Sequence, residues 1–135
     1  MKIGIDLDNT IIDHRLSFKK AYGFKKKILF NNEISKDFIK ENLSQKDWLD
    51  IQSDVYSDLL SKYARLYKGF SKFIKRSSIK NHTIEIVSHK TELSFSKKKN
   101  LILPAKIFIK KKIKVDNIFF FKTLNKKIKF INDQN

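Results

Sequence analysis

Two carboxylates stand near the start of the chain. Asp6 and Asp8 fall in Asp6-Leu7-Asp8-Asn9-Thr10, directly behind the short apolar run Ile3-Gly4-Ile5. At a spacing of i, i+2 they point to the same side while the backbone is extended. Such a pair is costly unless a cation or a shared proton compensates it. Oxygen ligands with incomplete protein coordination suit Mg²⁺. With a metal holding a phosphate, one carboxylate can attack phosphorus while the other gives and takes protons. The competing reading is a solvated turn, because Asp and Asn are ordinary turn residues.

The elements that must position this pair can be read from periodicity. Residues 2–7 are expected as a strand, with Ile3 and Ile5 on one face and Asp8-Asn9 supplying the turn. From about Ser17 to Arg76 the pattern becomes helical. Ser35 is a candidate N-cap, and Trp48, Ile51, Val55, Leu59, Leu60, Tyr63 and Leu66 recur as one continuous apolar stripe. Lys68-Gly69-Phe70 breaks the stripe, and Phe70, Phe73 and Ile74 begin another helix. Thr83 to Ser88 is a second, β-branched strand. A loop follows, then a helix from about Ala105 to Lys112, a third strand over 117–121 and a short helix from Leu124 to Ile131. Strands alternating with helices predict βαβ units around a parallel sheet, an α/β fold of Rossmann-like type. In such sheets ligands bind beyond the C-terminal ends of the strands, where Asp6 and Asp8 lie.

Composition narrows the class. A chain of 135 residues is one domain, and 41% apolar residues with 12 Phe can build a sizeable core. The lack of Cys excludes a disulfide framework, a cysteine nucleophile and a thiolate zinc cluster. Every apolar run is interrupted by Lys or Arg before membrane-spanning length, and the acids in MKIGIDLD argue against a signal peptide. A cytoplasmic protein with no membrane partner is therefore expected. The net charge of +16 attracts anions, either phosphorylated metabolites or nucleic acid. Only Arg15, Arg65 and Arg76 are arginines, whereas nucleic-acid sites favour the planar fork of Arg. A phosphorylated small molecule is thus the expected partner ahead of nucleic acid. Gly4, Gly23 and Gly69 are isolated, so there is no Gly-rich phosphate loop, and His14, His82 and His89 lack metal-ligand spacing.

The run Ile3-Gly-Ile-Asp-Leu-Asp-Asn-Thr-Ile-Ile12 resembles the first motif of the haloacid dehalogenase-like (HAD) hydrolase superfamily, and Ile84-Glu-Ile-Val-Ser88-His-Lys-Thr91 resembles its second. The resemblance implies a single HAD-like domain over 1–135, with residues 13–80 inserted as a helical cap over the site. It implies a Mg²⁺-dependent phosphomonoester hydrolase working through an aspartyl-phosphate on Asp6, with Asp8 as general acid and then base. Mg²⁺ would bind the Asp6 carboxylate and the Asp8 main-chain carbonyl. Thr10, Ser88 and a later lysine would hold the phosphoryl oxygens. Alignment of Ile118 to Ile128 puts that lysine at Lys127, with Lys122 and Lys126 as close rivals.

The family completes its metal site with acidic residues at the end of a further strand. Here Asp133 is the only late carboxylate, six residues after Lys127. A helix holding Lys127 and a strand ending in Asp133 do not both fit in that interval. Either Lys122 serves and residues 126–131 form a strand delivering Asp133, or the chain stops before that strand, which is the preferred reading. Two rival functions follow: a relict that binds a partner without turnover, and a nucleic-acid-processing phosphatase that uses the basic charge.

Overall fold

The computed structural model describes residues 1–29 and 34–134. Its centre is a three-stranded sheet of β1 (Lys2–Ile5), β4 (Thr83–His89) and β5 (Asn117–Phe121), in the order β1-β4-β5. Both pairings are parallel, with Ile5 opposite Ile86 and Ser88 opposite Phe120. The α/β class with a parallel sheet is therefore as the sequence predicts. β4 is central, and its five residues from Ile84 to Ser88 are all buried, as a strand covered on both faces must be.

Helices lie on both sides of this sheet. Ile86, Ile118 and Phe120 face a core that includes Phe108 and Ile109 of α6 (Ile102–Lys112), Phe70 of α5 (Phe70–Ile79) and Leu60 of α4 (Leu60–Tyr63). Phe119 and Phe121 alternate to the opposite face. There they meet Phe130 of α7 (Leu124–Asp133) at ring-centroid distances of 4.7 and 5.0 Å. Pro104 falls in the first turn of α6, where its missing N–H costs no helical hydrogen bond. Gly69 caps α5 at φ 94°, a conformation that other residues rarely adopt.

Between β1 and β4 the chain builds a second, helical core. α1 (Arg15–Lys26), α2 (Lys36–Glu41) and α3 (Gln45–Val55) bury Phe18, Tyr22, Ile39, Trp48 and Ile51 together. Ser35 caps α2 as expected, accepting from the Phe38 N–H, and Ser44 caps α3 in the same way. The chain enters and leaves this region through a two-residue antiparallel ladder, β2 (Ile12–Asp13) with β3 (Arg65–Leu66), which the sequence does not announce.

The single stripe expected over 48–66 is broken. α3 ends at Val55, a turn follows, and α4 begins at Leu60. Trp48, Ile51 and Val55 belong to the helical core, whereas Leu60 belongs to the core against the sheet. One straight helix cannot reach both, and the Ser57 hydroxyl assists the break by donating back to the Ser53 carbonyl. No helix of the described residues is long and apolar enough to cross a membrane.

Candidate active site

β1 stops at Ile5, one residue before the first aspartate. The Leu7 carbonyl accepts from the N–H groups of Ile11 and Ile12, and Asn9 takes a positive φ of 61°. This tight turn follows directly on the aspartates and closes the segment that carries them. Each carboxylate meets its own lysine. Asp6 Oδ1 accepts from Lys127 Nζ at 2.9 Å, on the side of the sheet covered by α7. Asp8 Oδ2 pairs with Lys90 Nζ at 2.7 Å, and Asp8 Oδ1 accepts from His14 Nε2 at 2.8 Å.

The two halves differ in solvation. Asp6 is 43% exposed and has one oxygen held by Lys127. Asp8 is 19% exposed and Lys90 only 5%. Burial alone would push the Asp8 carboxyl up, but the His14 hydrogen bond and the Lys90 charge outweigh it and hold the group down at about 2. Asp8 is thus firmly ionised. Lys90 also lies over the Tyr56 ring, 4.8 Å from its centroid, and His14 meets the same ring edge-on at 4.9 Å. Burial raises the Tyr56 phenol far above its ordinary value, with the Asp8 charge adding to the effect, so it stays neutral. His14 Nδ1 is buried without a partner among the described residues.

The structure brings Asp6, Asp8 and Lys127 to the C-terminal edge of the sheet, and it distinguishes among the candidate lysines. Lys127, in the first half of α7, reaches Asp6; Lys126 is exposed, and Lys122 contributes its carbonyl to His89. Residues 126–131 are helical, which removes the alternative of a strand delivering Asp133. Six residues of helix carry Asp133 about 9 Å along the axis from Lys127. Ser88 is buried on β4, two residues past the partner of Ile5, and strand alternation puts it on the same face as Ile86. Lys90, two residues further on, reaches Asp8. No hydrogen bond joins the Ser88 hydroxyl to either aspartate among the described residues. Thr10 is exposed in the turn, and its side chain has no such bond either.

For the implied Mg²⁺ the donors are few. Both Asp8 carboxylate oxygens are engaged and Lys127 takes Asp6 Oδ1, which leaves Asp6 Oδ2 and the Asp8 main-chain carbonyl. Among the described residues no group of three or more Asp, Glu, His or Cys could hold a metal ion. Mg²⁺ commonly binds through one or two carboxylates together with substrate phosphate and water. The available oxygens fit an ion that arrives with a phosphate, and do not form a closed protein cage.

Two residues of this site, Lys90 and His14, have no assigned role in the sequence reading. Lys90 follows Ser88-His89 at the end of the central strand, and that position was the available signal. His14 has no comparable mark. Beside Asp8 a cavity of about 350 Å³ opens between α3 and the loop that follows β4. Leu49, Gln52, Ser53 and Tyr56 form one wall, and Thr91, Ser94, Phe95 and Leu101 form the other. Lys97 and Lys99 brace the loop from outside, each 2.7 Å from Asp54 of α3, with Lys99 also reaching Asp58.

No protein-family model and no curated protein matches this sequence. Among solved structures the chain is similar to a predicted phosphatase from Clostridium acetobutylicum, with a TM-score of 0.57 and 12% identity over 98% of this chain and 69% of that one. It is likewise similar to a second predicted phosphatase, from Clostridium difficile, with a TM-score of 0.59 and 13% identity over the same shares. At that identity the likeness shows the fold, an α/β architecture with a parallel sheet that this chain shares with both structures.

Proposed function

We propose that the chain is a phosphomonoester hydrolase of HAD-like type, with Asp6 as the nucleophile. The observation that carries this reading is the Asp6 carboxylate at the end of a parallel strand, one oxygen held by Lys127 and the side chain open to solvent. A carboxylate oriented by a lysine can attack phosphorus in line, and the same ammonium offsets charge on the transferring group. Asp8 is ionised in the free chain, the form that accepts a proton from water in the hydrolysis of an acyl-phosphate. To act first as general acid it must enter the reaction protonated and hand that proton to the departing alkoxide, which leaves it ionised for the second step. Lys90 is placed to share its charge between Asp8 and an incoming phosphoryl oxygen. Ser88 and Thr10 are assigned to the same oxygens by the resemblance to the family's motifs. Mg²⁺, held by Asp6 and the Asp8 carbonyl, would supply further neutralisation of the phosphoryl charge when bound. The helices between β2 and β3 act as the cap, walling the cavity beside Asp8. Two crystal structures similar in fold are described as predicted phosphatases, which supports the reading.

One observation favours a second reading, a binding protein descended from such enzymes. The aspartates are already neutralised by lysines, and no third acidic ligand joins them among the described residues. Turnover decides between the two. Asp6→Asn is expected to abolish hydrolysis of an aryl phosphate in the presence of Mg²⁺ while leaving the circular dichroism spectrum unchanged. Wild-type chain without turnover supports the binding reading, and activity retained by Asp6→Asn overturns the nucleophile assignment.

A further inference from the structure

We propose that the cavity beside Asp8 takes the alcohol part of a small phosphomonoester whose only charge is its phosphate, an aryl or short alkyl alcohol with at most one or two polar groups. This rests on the phosphohydrolase reading above and adds the class of leaving group. The first argument is charge. The cavity opens on Asp8 and Lys90, which neutralise each other, and its other ionisable groups are the neutral Tyr56 phenol and the His89 imidazole at its mouth. Of the adjoining loop's basic residues, Lys97 is drawn onto Asp54 and Lys99 onto Asp54 and Asp58, and Lys98 is exposed and does not line the cavity. Lys36, near enough to feel the Asp8 charge, lies over the Phe18 and Trp48 rings and does not line the cavity. A second anion on the substrate would be desolvated there with only Lys90, already paired with Asp8 and facing the phosphate, to meet it.

The second argument is hydrogen bonding. Most of the hydroxyls in the walls already make a bond within the protein. Ser53 donates to the Leu49 carbonyl and contacts Ser96, Ser94 accepts from the Lys99 N–H, and Thr91 donates to the Leu93 carbonyl. The Tyr56 hydroxyl is bonded to the Asn9 side chain. The Gln52 amide is left without a side-chain partner among the described residues, amid the apolar surfaces of Leu49, Leu101 and the 74% exposed Phe95 at the rim. A sugar phosphate would bury several hydroxyls against a largely apolar lining with few free polar groups to answer them, whereas an apolar alcohol with one polar substituent suits it. About 350 Å³ is at the small end for ligand pockets, which suits a small alcohol.

Paired ligands test this. Calorimetric binding of phenylphosphonate and of 3-carboxyphenylphosphonate, each with Mg²⁺, compares molecules that differ by one carboxylate. Phenylphosphonate is expected to bind at least about tenfold more tightly, and glucose 6-phosphate should compete for its site at least about tenfold more weakly. Gln52→Lys should bring the two phosphonates to within about threefold by supplying the missing cation. Equal binding by the wild-type chain, tighter binding of the carboxylated ligand or of glucose 6-phosphate, or no binding of phenylphosphonate overturns the proposal. Turnover of phenyl phosphate reports separately on the hydrolase reading. Preference without turnover removes the chemistry and keeps the cavity assignment, and turnover with equal binding does the reverse.

Discussion

Lys90→Met tests the electrostatic core of the site. In the folded chain the Asp8 carboxyl sits at about 2 against an ordinary 3.8. At ~1.36 kcal/mol per pH unit, that difference corresponds to roughly 2 kcal/mol of net stability, what the partners supply less what burial costs. Asp8 is only 19% exposed, so solvent screening reduces this little. The sign follows from proton binding: between about pH 4 and pH 2 the unfolded chain holds the proton and the folded chain does not. This stabilisation is therefore complete above about pH 5 and is lost as the pH falls through 4 toward 2. Methionine keeps the volume of Lys90 but leaves Asp8 buried with His14 alone. The expected cost at pH 7 is about 3 kcal/mol, within the range for breaking a buried pair. Because the Asp8 carboxyl then rises, the variant should lose less stability than wild type between pH 5 and pH 2. Asp8→Asn/Lys90→Met should cost about 2 kcal/mol less than the sum of the single changes. Urea unfolding followed by the fluorescence of Trp48, the only tryptophan, reads all of this. A cost below about 0.5 kcal/mol at pH 7, with a pH profile superimposable on wild type, would refute the pairing of Asp8 with Lys90.

Two further outcomes follow from the same geometry. Mg²⁺ alone at millimolar concentration should leave the unfolding midpoint unchanged, whereas Mg²⁺ with inorganic phosphate should raise it, since the protein oxygens suffice only for an ion bound jointly with an anion; a comparable shift from Mg²⁺ alone in differential scanning fluorimetry contradicts this. Thr123, which accepts from the Lys126 N–H at the start of α7, should cost about 1 kcal/mol when replaced by Ala, and any turnover should fall with it because Lys127 loses its rigid mounting; unchanged stability in urea would show that the cap does not hold α7.

Parts of the fold were legible because local signals and tertiary demands agree. β4 and β5 are short β-branched or aromatic runs flanked by turn residues, and their predicted spans match the structure closely. The Ser35 cap and the break at Gly69 are equally local. The stripe over 48–66 misled because a 3.6-residue period records which residues are buried, not which of two cores buries them. The β2–β3 ladder escaped because two residues per strand carry no period. Asp6 and Asp8 were visible as a pair from their spacing behind a short strand, whereas the Lys90 and His14 partners of Asp8 were not.

Lys90 was hidden for a different reason, which bears on what the charge of this protein means. All but three of its 30 Lys and Arg residues are lysines, so a lysine near any given motif is almost guaranteed, and type and spacing carry little information. Burial separates the few from the many. Lys90 is 5% exposed and Lys127 15%, and each ends on one aspartate of the pair. Most other lysines remain at the surface, where net charge governs solubility and the approach of anions without singling out a site. The aromatic path supplies the structural half of this selection. Trp48 stacks on Phe18 at 5.4 Å, Phe18 meets Tyr56, and Tyr56 packs against both His14 and Lys90. The core of the inserted helices thus runs without interruption to the two groups that grip Asp8. Swinging the inserted helices away from the sheet would have to break that packing or carry His14 and Lys90 with it. The stability of the helical core and the ionisation of Asp8 are consequently one problem, and a change that loosens Phe18 or Trp48 is felt at the carboxylate.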